Sequence, residues 1–271
     1  MRQRISSAIL LELLRRQYPA HCSESAPFAF WKMKALIQGG DAYCIPGPGC
    51  HYLIRDNHLL YYYAPDGRCH IPPGELNAFS AISLPARIYD HIKDGLAGFE
   101  ANYGWGLRYN PAHRPVETDF SAYEAVDFDF GSETHYDRAA KIITQDENGG
   151  GQWMNAAHVR RMTAFSAFAP SLWFFVRDKA SGKLIAISIS AYSPEVRETD
   201  LDWIFVLPEY QGKGAGRFLI QETIRRCRDQ SDVIRVGGTV DFYRKCGFVN
   251  DVLWVWAVKP GYRFTCESIQ P

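Results

Sequence analysis

The run Val206-Leu207-Pro208-Glu209-Tyr210-Gln211-Gly212-Lys213-Gly214-Ala215-Gly216 constrains this chain more than any other stretch. Leu201 to Leu207 reads as a strand. Beyond the glycines, Ala215, Phe218, Leu219, Thr223, Ile224 and Cys227 form a helical apolar stripe. The glycines therefore sit in a turn that opens a helix. Such a turn presents free backbone N–H groups and the positive end of a helix dipole, which together make an anion site. The common phosphate loops do not fit. A P-loop needs Ser or Thr after the lysine, and here Gly214 follows Lys213. A dinucleotide fingerprint needs G-x-G-x-x-G, and the spacing here is Gly212, Gly214, Gly216.

What does fit is Gln-x-x-Gly-x-Gly, read as Gln211, Gly214 and Gly216. A second element follows in Phe242-Tyr243-Arg244-Lys245-Cys246-Gly247-Phe248, a Tyr-x-x-x-Gly-Phe pattern. With the flanking V-L-P-E-Y, the two elements resemble the acyl-CoA signature of the GNAT superfamily of N-acyltransferases. The resemblance implies an α/β fold with a mixed sheet, in which a C-terminal GNAT-like domain follows an N-terminal α+β domain.

Length and composition leave room for that division. The chain has 271 residues and is 46% hydrophobic, enough for a sizeable core. It carries 30 basic and 30 acidic residues, so no global charge favours nucleic acid or an anionic membrane. No apolar run approaches a membrane span. The cysteines at 22, 44, 50, 69, 227, 246 and 266 are scattered, with no CxxC. They read as reduced thiols and point to a cytoplasmic protein. Cys50-His51 and Cys69-His70 invite a metal reading, but neighbours on a strand face opposite ways, so each pair offers one ligand. No metal is expected. The N-terminal segment, with Ile5, Ile9, Leu10, Leu13 and Leu14 among arginines, reads as a docked amphipathic helix. Glu12 interrupts the apolar core that a secretory signal needs.

The expected boundary lies in the proline-containing connector Asn110 to Pro115, giving an accessory domain over 1–115 and a catalytic domain over 116–271. In the first, His51 to Arg55 and His58 to Tyr63 read as a hairpin turning at Asp56-Asn57, with aromatics on both faces of the sheet. Leu84 to Lys93 reads as a helix, and Phe99 to Tyr109 as a strand. Gly95-Leu96-Ala97-Gly98-Phe99 echoes the later Gly-Phe element, which points to a degenerate relative of the catalytic domain. In the second domain the expected order is β-α-α-β-β-β-α-β-α-β. Its helices span Asp137 to Gln145 and Met154 to Phe168, the latter stopped by Pro170.

The resemblance assigns roles residue by residue. The amides of Gln211, Gly212, Lys213, Gly214, Ala215 and Gly216 would hold the diphosphate of acetyl-CoA, the implied co-substrate. Backbone near Phe205, Val206 and Leu207 would pair with pantetheine and polarise the thioester carbonyl. Thr239 stands where relatives carry an asparagine that contacts CoA. Tyr243 resembles the acid for the departing thiolate. For the base, strand alternation places Asp200 and Asp202 on the face of Ile204 and Val206. Asp202 ranks first, Asp200 next and Glu198 behind. Acceptor choice is expected from His135 through Phe168, including Gly149 to Gly151 and Trp153.

The expected activity is direct acetyl transfer from the CoA thioester to a primary amine, on a small molecule or a peptide, with no nucleic acid or membrane partner. A homodimer is left open. A non-catalytic acyl-CoA sensor is the alternative, and an intact Tyr243 favours the enzyme. Aminoacyl transfer from charged tRNA would need a basic groove, and the neutral composition speaks against it.

Overall fold

A computed structural model describes residues 2–25, 27–113, 119–145, 154–238 and 240–262. The first stretch of chain forms β1 (Gln3–Ile5), α1 (Ser7–Ser25), α2 (Phe30–Gln38), β2 (Asp41–Ile45), β3 (Cys50–Arg55), β4 (His58–Tyr63), α3 (Pro73–Leu76), β5 (Ala81–Pro85), α4 (Ala86–Tyr89) and β6 (Glu100–Tyr109). The second forms β7 (Tyr123–Asp127), α5 (Glu133–Thr144), α6 (Ala156–Arg161), β8 (Phe168–Asp178), β9 (Leu184–Ser193), β10 (Glu198–Val206), α7 (Ala215–Cys227), β11 (Val233–Gly237), α8 (Val240–Arg244) and β12 (Phe248–Val258).

The chain divides into two compact units. One comprises Met1–Leu107 with Asn250–Gln270, and the other spans Arg108–Val249. The expected boundary at Pro115 lies outside the described residues. The division also differs from the expected one by grouping most of β12 with the N-terminal unit. There Trp254 to Val258 pair antiparallel with Pro85 to Ala81 of β5.

In the N-terminal unit the strand order is β1-β2-β3-β4-β5-β12-β6. The β3–β4 hairpin turns at Asp56 and Asn57, both with positive φ (50° and 57°), as a two-residue hairpin turn of type I′ requires. Tyr61 and Tyr62 are both fully buried on opposite faces of β4, so aromatics do fill both sides of this sheet. One face packs Tyr52, Leu59, Tyr62, Ile82, Leu84 and Val255. α1 buries Leu10, Leu14 and Tyr18 and leaves Ile9 exposed, and Tyr18 meets Phe30 of α2 edge-on at 5.2 Å. The expected helix from Leu84 to Lys93 shrinks to the single turn of α4, because Leu84 and Pro85 complete β5.

In the second unit the order is β11-β10-β9-β8-β7. Leu172 to Val176 is an unbroken apolar run because both faces of β8 are covered. Trp173 and Phe175 face α5 and α6 with Phe128, Tyr136, Ile187 and Ile189. Phe174 and Val176 face α7 with Ala186, Ala215 and Leu219. The expected second helix ends early. α6 stops at Arg161, and β8 already begins at Phe168 and passes through Pro170. The register of β8 against β9 is irregular between Phe168 and Trp173. That irregularity tolerates a proline, which has no N–H to give a ladder.

The two halves of the sequence, β1 to β6 and β7 to β12, share one element order, β-α-α-β-β-β-α-β-α-β. In each, the first four strands pair antiparallel in sequence, and the fourth and fifth pair parallel. The chain is an internal repeat. The echo noted between Gly98-Phe99 and Gly247-Phe248 falls at the start of β6 and of β12, within one residue of matching places. Both glycines take positive φ, 74° and 97°.

Phe175 is fully buried and stacks on Phe128 at 5.4 Å. Phe175→Ala is expected to cost about 3–5 kcal/mol in urea unfolding, through lost burial plus the cavity left behind.

Candidate active site

The site begins with a failure of strand pairing. β10 runs parallel to β11 only from Glu198 to Asp200, against Val233 to Arg235. From Leu201 onward β10 pairs with β9 alone, and the register against β9 slips by one residue between Asp200 and Trp203. This β-bulge inserts an extra residue and turns the strand. It also corrects the expected face assignment. Asp200 pairs with Ala191 and Trp203 with Ile189, so Asp200 shares its face with Trp203 and Phe205 rather than with Ile204 and Val206. Period-two alternation does not carry across a bulge. Asp202 lies within the bulge and is half-buried.

Where β10 has left β11, a cavity of about 780 Å³ opens. Its wall from β10 is Ile204, Phe205 and Val206, continued by Gln211, Gly212, Gly214 and Gly216. The opposite wall carries Gly238, Phe242, Tyr243 and Lys245.

The loop is braced by side chains that bond to its carbonyls. Gln211 Nε2 donates to Val206 O at 3.0 Å, and Tyr123 OH donates to Lys213 O at 2.7 Å. Gly212 and Gly214 both take positive φ, 75° and 99°, which few other residues tolerate. The first bond of α7 runs from Phe218 N–H to Gly214 O. The amides of Ala215, Gly216 and Arg217 therefore stand unused by the helix, at its positive end. Gly216 has a second reason to be glycine. A Cβ there would lie 3.1 Å from Phe242 Cζ. Leu207 and Ala215 are buried behind the loop. Lys213 does not line the cavity, and its ammonium lies 5.6 Å from the centre of the Tyr210 ring.

Tyr243 is 8% exposed and opens on the cavity. Its ring meets Phe242 and Phe248 edge-on at 5.0 and 5.7 Å. Gly238 lets it approach, since a Cβ there would stand 3.2 Å from Tyr243 Cε2. Burial pushes the phenol up to about 12, with smaller contributions from the charges of Cys246 and Asp200. Asp200 is thus an electrostatic neighbour of Tyr243, although neither it nor Asp202 lines the cavity. Glu198 is fully buried and pairs with Arg235 at 3.6 Å.

The structure so brings Phe205, Val206, Gln211, Gly212, Gly214, Gly216 and Tyr243 to one cavity. Thr239, Gly149 to Gly151 and Trp153 lie outside the described residues. Sequence reasoning missed Gln145, Ile204, Arg217, Gly238, Phe242 and Lys245. Arg217 follows the last glycine and Lys245 lies two residues past Tyr243, so the motifs themselves pointed to both. Nothing local pointed to Gln145, which ends α5 with a left-handed φ of 56°. Among the described residues no group of His, Cys, Asp or Glu is arranged to hold a metal ion. His51 instead bonds Tyr61 OH at 2.9 Å, and His70 bonds Asp66 at 2.8 Å. No described helix is long and apolar enough to cross a membrane.

Residues 170–250 match the family model for the acetyltransferase (GNAT) domain. Solved structures resemble nearly the whole chain. A GCN5-related N-acetyltransferase from Sphaerobacter thermophilus has a TM-score of 0.64 at 13% identity, covering 97% of each chain. A GNAT-family acetyltransferase from Colwellia psychrerythraea has 0.58 at 13%, covering 96% of this chain and all of its own. A tandem GNAT protein from the clavulanic acid biosynthesis pathway has 0.59 at 10%, covering 97% and 99%. No curated protein sequence matches this chain significantly. Residues 170–250 thus resemble the acetyltransferase (GNAT) domain, and the solved structures show the same fold over nearly the whole chain.

Gly214→Val puts a β-branched residue at a φ of 99°. The change should destabilise the protein by about 1–2 kcal/mol, read as a lowered denaturation midpoint.

Proposed function

We propose that this protein transfers an acetyl group from acetyl-CoA to a primary amine, by direct attack of the amine on the thioester. The observation that carries the proposal is the cavity itself. Unused amides at a helix N-terminus form one part, an unpaired strand edge a second, and a protonated phenol a third. These match the three demands of a CoA thioester: a diphosphate to hold, an amide-bearing arm to align, and a sulfur to release.

The residues divide the work by chemistry. Amides from Gly212 to Arg217 hold the diphosphate, and the left-handed glycines keep the loop open to it. The edge of β10 from Ile204 to Val206 offers backbone groups to the amides of pantetheine, and its N–H groups polarise the thioester carbonyl. Tyr243 donates its hydroxyl proton toward the departing sulfur. A phenol at about 12 is a weaker acid than a free thiol, at about 8.5. Tyr243 therefore acts as a hydrogen-bond donor that steadies the sulfur as the bond breaks, and full proton transfer needs help from the changed charge of the site. Burial holds the phenol protonated, with small contributions from the charges of Cys246 and Asp200. Asp202, half-buried in the bulge, takes the amine proton through water.

The test combines binding with turnover. Acetyl-CoA should raise the melting temperature of the purified protein, by mass action on the folded state. A screen of amines should then find turnover with at least one class. Tyr243→Phe should lower kcat by about 100-fold or more and leave the affinity for CoA unchanged. Affinity with no turnover on any amine, and no effect of Tyr243→Phe, would leave a sensor in place of an enzyme.

The phenol also predicts a pH dependence. Its folded pKa lies above the unfolded value of about 10, so its share of stability is complete below pH 10 and is lost as pH rises toward 12. Tyr243→Phe should flatten that alkaline loss relative to wild type in melting curves taken between pH 9 and 11. The same shift keeps the donor protonated, so Tyr243 should impose no fall in kcat/KM between pH 7 and 9.5.

A further inference from the structure

The sheet of the second unit is unevenly covered on the face that packs α5 and α6. Cross-strand pairing sets the side chains of this face in rows. Phe175, Ile187 and Phe205 form one row, and Trp173, Ile189 and Trp203 the next. Phe168, Ala191 and Asp200 form the third. The first two rows are large and apolar throughout, and Ile187 and Ile189 at their centres are 0% and 4% exposed. The third row has Ala191 at its centre, the smallest side chain of the three rows. Ala191 is half-buried, and so are Phe168 beside it and Trp203 in the next row. The face therefore opens into a notch at Ala191, floored by one methyl group and flanked by aromatic rings. Those rings are held from below. Phe168 meets Trp173 and Phe130 edge-on at 5.3 and 5.2 Å, and Trp203 stacks on Phe205 at 6.2 Å.

The notch adjoins the cavity by two printed contacts of its own walls. Phe205, on which Trp203 stacks, lines the cavity. Asp200, in the row of Ala191, is near enough to Tyr243 for its charge to be felt there. We propose that the acceptor is an arylalkylamine, its ring seated on Ala191 between Phe168 and Trp203 and its amine directed toward Asp200 and Tyr243. The inference rests on the acetyl-transfer reading of the cavity. A ring placed there loses apolar surface to water and meets other rings in the edge-on and offset arrangements that aromatic pairs favour. An amine reaches the site as its ammonium, and a carboxylate in the same row attracts that charge. A straight alkylamine would gain less from the rings, and a polyamine would bring a second charge onto an apolar floor.

The experiment measures acetyl-CoA binding to the full chain by calorimetry, and then kcat/KM with 2-phenylethylamine, 2-cyclohexylethylamine and butylamine. Wild type is expected to prefer phenylethylamine over butylamine roughly tenfold or more, and over the cyclohexyl compound about threefold or more. Ala191→Leu fills the notch. It should lower kcat/KM for phenylethylamine about tenfold while acetyl-CoA still binds, which also shows that the variant has folded. Trp203→Leu keeps apolar bulk without a ring and should erase the advantage of phenylethylamine over the cyclohexyl compound. Equal kcat/KM for all three amines in wild type would overturn the inference and leave the donor reading standing. So would binding of acetyl-CoA with turnover of none of them. A preference for phenylethylamine that survives in folded Ala191→Leu would overturn it as well, and move the ring elsewhere. If acetyl-CoA does not bind, the donor reading falls and the inference falls with it. The wild-type comparison needs no variant to fold.

Discussion

The candidate site depends on the parting of β10 from β11 beyond Asp200 and Arg235. A strand that stays paired offers a ligand nothing, because its N–H and C=O groups are spent on the ladder. Here the ladder ends in the middle of a sheet rather than at its rim. The bulge between Asp200 and Trp203 keeps β10 bonded to β9 while it turns away on the other side. The result is an edge lined by Ile204, Phe205 and Val206 that opens on a cavity. The cost of leaving those backbone groups unpaired is met either by water or by a ligand with amides of its own. The same turn delivers the chain into Pro208 and the glycine loop, so strand edge and anion site are made by one event.

The internal repeat shows what that event requires. Both halves of the sequence have the same element order, and both place a turn after the fourth strand. In the N-terminal unit the turn is Ala64 to Pro72, and its amides are already in use. Asp66 accepts from Arg68 N–H at 3.0 Å, and Tyr62 OH accepts from His70 N–H at 2.8 Å. The helix that follows, α3, is a single turn from Pro73 to Leu76. An acidic side chain on the amides and a helix this short leave nothing for a phosphate. In the second unit the side chains that brace the loop, Gln211 and Tyr123, bond carbonyls instead. The amides stay free and α7 runs on to Cys227. The two turns differ in which half of the peptide group the side chains occupy, and that difference decides which unit can hold an anion.

Sequence revealed the parts of this design that depend on local chemistry. The glycines at 212, 214 and 216 could be read because positive φ and close approach have few other solutions. β10 could be read from its apolar pattern, and the Asp56-Asn57 hairpin from its turn residues. What stayed hidden depends on pairing between distant segments. The bulge in β10 has no glycine or proline to announce it, so alternation placed Asp200 on the wrong face. Pro170 reads as a helix stop, and only the irregular register of β8 shows that it sits in a strand. The last strand looks like the close of the second domain, yet its partner is β5. Gln145 reaches the cavity through the fold alone.

Charge gives the last step. The chain is neutral overall, with 30 residues of each sign, and that balance argues against a polyanionic partner. Neutrality of the whole says little about one cavity. Many cations of the second unit are spent locally: Arg226 on Glu222 and Asp127, Arg177 on Glu124, and Arg197 on Asp232. Arg217 and Lys245 line the cavity and have no ion-pair partner among the described residues. The acids of the strand lie elsewhere: Glu198 is held by Arg235, and Asp200 is buried toward Tyr243. A protein with no net charge thus still presents two cations to one cavity. The lining of one cavity, rather than the balance of the whole chain, decides which charges that cavity attracts.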